Sequence, residues 1–84
     1  MKRDIESAIA DKVKNIIVDI LGARHDQVTL TSRILEDLEG DSLDLVELIM
    51  AFEDEFGQEI SDEDAIKMKR VGDVVDYLVN HIDG

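Results

Sequence analysis

Apolar residues in this chain recur at intervals of three and four rather than two, and no proline interrupts them. That spacing lines them along one side of a helix and argues against the alternation of a half-buried strand. Ile5, Ala8, Ile9, Val13, Ile16, Ile17 and Ile20 define a first stripe, from about Asp4 to Leu21, with Gly22 as its stop. From Ala23 to Asp41 the pattern breaks into a long loop. There Thr29, Thr31 and Ser32 offer turn and cap chemistry, and Val28, Leu30, Ile34, Leu35 and Leu38 are placed to pin the loop inward. Such a loop is uncommon unless it is functional or carries a helical turn of its own. A second helix is expected to start near Asp41, whose side chain can cap it, and to run to Phe56 before Gly57. Ser61 followed by Asp64 resembles a capping box for a short third helix, and Val71, Val74, Val75, Leu78 and Ile82 give the stripe of a fourth. Arg70, just ahead of that stripe, is a poor cap, and its positive charge opposes the helix dipole. The expected fold is all-α: a small four-helix bundle with a long loop between helices one and two and a short third helix. Residues 1–84 form one domain, without linker or internal repeat.

A chain of 84 residues buries only about 60–65% of the surface its unfolded form exposes, so a thin core and no large enzyme cleft are expected. Cysteine is absent and there are two histidines, which leaves no thiolate metal site and little for Cys/His catalysis to draw on. Any thiol chemistry needs an added group. No apolar run approaches the roughly 18 residues of a membrane span, and no charged-then-apolar leader precedes the first helix, so a soluble cytoplasmic monomer without membrane insertion is expected. Net charge is −12, and from Glu36 to Asp64 every charged residue is an acid. Nucleic acid is a poor partner for such a surface, because binding it requires Lys and Arg to neutralise phosphates. Basic protein surfaces are its natural complement.

The second helix carries two apolar faces. Leu45, Leu48, Ile49, Phe52 and Phe56 gather on one side and read as core. Leu43, Val46 and Met50 fall on a separate stripe, edged by Asp44, Glu47 and Asp54. An apolar strip rimmed by acids suits a transient protein interface, dry in the middle and charged for steering at the edge. The same spacing is met if those three residues are tucked beneath the long loop, and periodicity does not separate the two arrangements.

Ser42 stands at the start of this helix, between Asp41 and Leu43-Asp44. A serine there reads first as a cap. The stretch Asp41 to Phe56, Asp-Ser-Leu-Asp-Leu-Val-Glu-Leu-Ile-Met-Ala-Phe-Glu-Asp-Glu-Phe, resembles the modification motif and recognition helix of the acyl carrier proteins of fatty acid synthesis. Glu59-Ile60-Ser61-Asp62-Glu63-Asp64-Ala65 and Val71-Gly72-Asp73-Val74-Val75-Asp76-Tyr77 continue the similarity, which extends over essentially the whole chain. The resemblance implies a carrier rather than an enzyme. Its Ser42 hydroxyl would take 4′-phosphopantetheine from coenzyme A in a Mg²⁺-dependent reaction run by a phosphopantetheinyl transferase, and acyl groups would ride on the arm's thiol as thioesters. It also implies that Asp41, Leu43, Asp44, Val46, Glu47, Met50, Glu53 and Asp54 meet basic patches on enzymes of fatty acid or related synthesis. Phe52, Ile60, Ala65, Met68 and Tyr77 would line a shelter for the acyl chain. The chain departs from the family's pattern in places: Glu39-Gly40 stand where Gly-Ala is usual, Ile34 replaces a frequent aromatic, Ser61 replaces a common proline, and Lys69-Arg70 replace small hydroxyl residues. These departures bear on the pathway served, and polyketide or amino-acyl cargo is the alternative.

Two other readings fare worse. Gly40-Asp41-Ser42-Leu43 spells a serine hydrolase signature, but no strand leads into it and His81, near the C-terminus, is placed as a surface residue and not a base. A calcium loop read from Asp37 puts Ser42 where a sharp turn needs Gly and Leu48 where a bidentate Glu belongs, so no dedicated metal site is expected.

Overall fold

Four helices account for most of the described residues: α1 (Lys2–Leu21), α2 (Ser42–Phe56), α3 (Asp62–Lys67) and α4 (Val71–Ile82), with a 3₁₀ turn at His25–Gln27 inside the long loop. The computed structural model describes residues 2–38 and 41–82, without the side chains of Lys2, Arg3 and Ile82; Glu39-Gly40 lie outside the described residues. α1 is the spine against which both α4 and α2 pack. Its buried residues Ile9, Val13 and Ile17 meet Leu48, Ile49 and Phe52 from α2 and Val71, Val74, Val75, Leu78 and Val79 from α4. Each such side chain, fully buried, contributes about 1.5–3 kcal/mol relative to exposure. Ala8, expected on the α1 stripe, is exposed; at 100° per residue it lies well off the line through Ile9, Val13 and Ile17.

Gly22 and Gly57 close α1 and α2 in the left-handed conformation, φ 69° and 63°, where a Cβ is disfavoured. Their N–H groups donate back to the Val18 and Glu53 carbonyls at 2.9 Å.

The long loop is held from two sides. Val28, Ile34 and Leu38 are buried in the core, as expected, whereas Leu30 and Leu35 are 44% and 43% exposed. Those two do not pin the loop through their side chains. For Leu30 the backbone does that work: its carbonyl accepts the Gly72 N–H at 2.8 Å, while the Ser32 carbonyl accepts the Val71 N–H at 3.0 Å. Ile34 N–H donates to the Lys69 carbonyl at 2.9 Å, completing a short antiparallel bridge between Arg33 and Arg70. Buried Ser32 is fully engaged, its hydroxyl donating to the Gln27 carbonyl and accepting the Thr29 N–H, each at 3.0 Å. Arg33 braces the turn that follows through Glu36 and through Asp37, with Nη2–Oδ1 at 3.0 Å. Hydrogen bonds from the Arg33 side chain and backbone hold the Asp37 carboxyl below its ordinary range. The group is open to solvent, so the pair shapes the turn more than it stabilises the fold.

Candidate functional site

The start of α2 settles the role of Ser42 in the helix. Asp41 is the cap: its Oδ1 accepts the Asp44 N–H at 2.9 Å, and Asp44 Oδ2 accepts the Asp41 N–H at 3.1 Å, a reciprocal capping box. Ser42 is therefore the first helical residue, not the cap. It is exposed, and its hydroxyl has no hydrogen-bond partner among the described residues. A serine released from capping, at the positive end of a 15-residue helix, presents its oxygen where an attached phosphate would be favoured.

The second stripe of α2 faces outward. Leu43, Val46 and Met50 are 66%, 54% and 63% exposed, so they are not tucked beneath the loop. Asp41, Glu47 and Asp54 are exposed beside them, and Asp44 and Glu53 are half-buried. Leu43, Val46, Glu47, Met50 and Asp54 thus share one exposed side of α2, with Asp44 and Glu53 at its half-buried margins. α3 adds Ile66, 72% exposed, which the sequence reading missed. With only six residues, α3 is too short for periodicity to assign a face, so no signal marked Ile66 in advance.

Between α2 and α3 lies an open groove of ≈ 470 Å³ that includes Ser42 at its edge. Leu45, Val46, Ile49 and Met50 form the α2 wall, Ile60, Ala65 and Ile66 the opposite one, and Glu53 and Asp62 add carboxylates. Of the residues expected to line a shelter, Ile60 and Ala65 are in this groove. Phe52 lies behind it in the core, fully buried. Tyr77 faces elsewhere, onto a smaller depression with Asp64, Lys67, Asp73 and Asp76, whereas buried Met68 lines both that depression and a cavity of ≈ 340 Å³ that shares Leu45 and Ile66 with the groove. Tyr77 stacks on His81 with ring centroids 3.9 Å apart, and burial, reinforced by the Asp64 carboxylate, pushes its phenol above the ordinary range. His81 is exposed, its Nδ1 2.7 Å from the Tyr77 carbonyl oxygen.

This geometry has close counterparts. The family model described as "Phosphopantetheine attachment site" matches residues 11–78. The acyl carrier proteins of Clostridium perfringens strains SM101 and ATCC 13124 are each 54% identical over 71 residues, covering 84% of this chain and 93% of theirs. The chain belongs to the acyl carrier protein family. The solved acyl carrier protein of Enterococcus faecalis shares its fold with a TM-score of 0.77 at 44% identity, over 89% of this chain and 95% of that one. The four-helix architecture expected from periodicity is the family fold. The protein is a phosphopantetheine-bearing acyl carrier and not an enzyme. No helix among the described residues is long and apolar enough to cross a membrane.

Proposed function

We propose that Ser42 Oγ is the atom that takes the 4′-phosphopantetheine arm, and that the loaded protein carries intermediates of fatty acid biosynthesis in the cytoplasm as a monomer. The observation carrying this reading is the division of labour at the head of α2: Asp41 caps the helix, which leaves the Ser42 hydroxyl exposed and without a hydrogen-bond partner among the described residues. A phosphodiester formed there gains from the helix dipole and from the neighbouring N–H groups. The arm supplies a thiol, which a chain without cysteine lacks. Asp41, Leu43, Asp44, Val46, Glu47, Met50 and Asp54 form the docking face for the transferase and for synthesis enzymes with basic patches, the acids accelerating encounter and the apolar strip providing dry contact. The apolar walls beside Ser42 shelter the acyl chain, with Ile60 and Ala65 opposite Leu45 and Ile49.

Intact-mass spectrometry after incubation with coenzyme A and a phosphopantetheinyl transferase tests the attachment. The wild-type chain should gain the arm and Ser42→Ala should not, with equal helical content by circular dichroism. A folded wild-type protein that stays unmodified with a competent transferase would sink the reading. The loaded protein, offered to a reconstituted set of fatty-acid elongation enzymes, should be extended; refusal by that set alone would move the cargo to a specialised pathway.

A further inference from the structure

Position on the helix places Glu53 among the acids expected to meet basic partners. Its carboxylate is engaged elsewhere. Oε2 accepts the Ile60 N–H at 2.8 Å, reaching from α2 across seven residues to the segment that leads into α3. Ile60 is a core residue, 6% exposed. Its backbone donor would lack a partner in partly buried surroundings if the carboxylate were removed.

That bond matters because α3 has few other ties: Ala65 packs partly buried against the core, and the Tyr77 hydroxyl donates to the Glu59 carbonyl at 3.4 Å. The helix is six residues long and contributes no buried residue. Its position is set at its ends by two buried anchors, Ile60 and Met68. Ile60, Ala65 and Ile66 form the wall opposite α2 in the groove beside Ser42, and Glu53 lines the same groove. One carboxylate therefore spans from the α2 wall to the base of the α3 wall. Hydrogen bonds to an ionised acceptor are roughly twice as strong as neutral ones, which suits this one to hold a spacing.

We infer that Glu53 is a positioning residue for cargo: by holding the Ile60 N–H it fixes the width of the groove in which an acyl chain tethered at Ser42 is sheltered. The inference rests on the Ser42 reading for the identity of the cargo, but the bond itself is testable on the unloaded protein. Glu53→Gln removes the charge and keeps an acceptor oxygen; Glu53→Ala removes both. Amide hydrogen exchange at Ile60, followed by NMR, should accelerate about 10- to 100-fold in Glu53→Ala and about 3- to 10-fold in Glu53→Gln, which keeps the acceptor and loses the charge. With octanoyl-loaded protein, hydroxylamine should cleave the thioester faster in Glu53→Ala than in wild type, with Glu53→Gln in between. A loss of partner steering alone would affect the two variants alike and leave both readouts unmoved. Unchanged Ile60 exchange in Glu53→Ala overturns the proposal, as does equal acceleration in both variants, or thioester cleavage that is the same in all three proteins. If Glu53→Ala does not fold, Glu53→Gln decides: Ile60 exchange accelerated by about 3- to 10-fold supports the latch, and no acceleration, or acceleration beyond about tenfold, overturns it. A wild-type protein that never gains the arm overturns the Ser42 reading and the shelter with it, whereas a failed exchange experiment removes the latch alone.

Discussion

Gly72 is the residue at which one missing methyl group decides whether the loop can close. Its N–H donates to the Leu30 carbonyl at 2.8 Å, and a Cβ on Gly72 would stand 2.9 Å from that same oxygen. The obstructing atom is backbone, so the clash is not relieved by a side-chain rotation. Gly72→Ala should cost about 1–3 kcal/mol, the range of overpacking substitutions, although alanine is the better helix former. In a domain of this size that lowers the melting temperature by roughly 4–8 °C per kcal/mol, measurable by thermal denaturation. A variant as stable as wild type would mean that the loop gives way freely and does not clamp α4. Ser42 is the opposite kind of residue: nothing among the described residues leans on its hydroxyl, which is why Ser42→Ala serves as the control for loading.

Among the elements, α4 begins with help from outside its own stretch of chain. Arg70 cannot cap, and the first donors of the helix, on Val71 and Gly72, are taken by the Ser32 and Leu30 carbonyls. Asp73 then reaches back, its Oδ2 accepting the Lys69 and Arg70 N–H groups at 3.2 and 3.0 Å. Arg70 adds its own tie, Nη1 donating to the Thr31 carbonyl at 2.8 Å. Asp73→Ala should lose about 0.5–2 kcal/mol in a urea titration, as a lost cap does, with faster amide exchange at Lys69 and Arg70. Unaltered exchange at those two positions would show that the loop carbonyls suffice. α2 needs no such help, since Asp41, Asp44 and Gly57 bound it from within its own stretch of chain.

For the whole molecule, the dominant feature is charge. A net −12 is carried on a body of 33 × 27 × 19 Å. The screening length falls to about 10 Å at 0.1 M salt, shorter than any of those dimensions, so moderate salt weakens repulsion between acids on different elements. The melting temperature should therefore rise as sodium chloride is increased from low to moderate concentration, and a flat or falling curve would show that the acidic surface carries no stability penalty. In the docking proposed above, the same charges would steer partners with basic patches to α2 at long range.

Local rules made much of this protein legible in its residues. Three- and four-residue spacing marks the inner sides of α1, α2 and α4, Asp41 and Gly57 mark both ends of α2, and the Asp41–Phe56 stretch marks the carrier family, because each signal lies within a few turns of chain. The arrangement around the site is not local. That Leu43, Val46 and Met50 face solvent, that Leu30 holds α4 with its carbonyl while its side chain points away from the core, and that Glu53 grips Ile60 all depend on how the loop and α3 settle against α1, α2 and α4. Helical periodicity specifies which residues share a side, whereas exposure and hydrogen-bond partners between elements are set only when those sides meet.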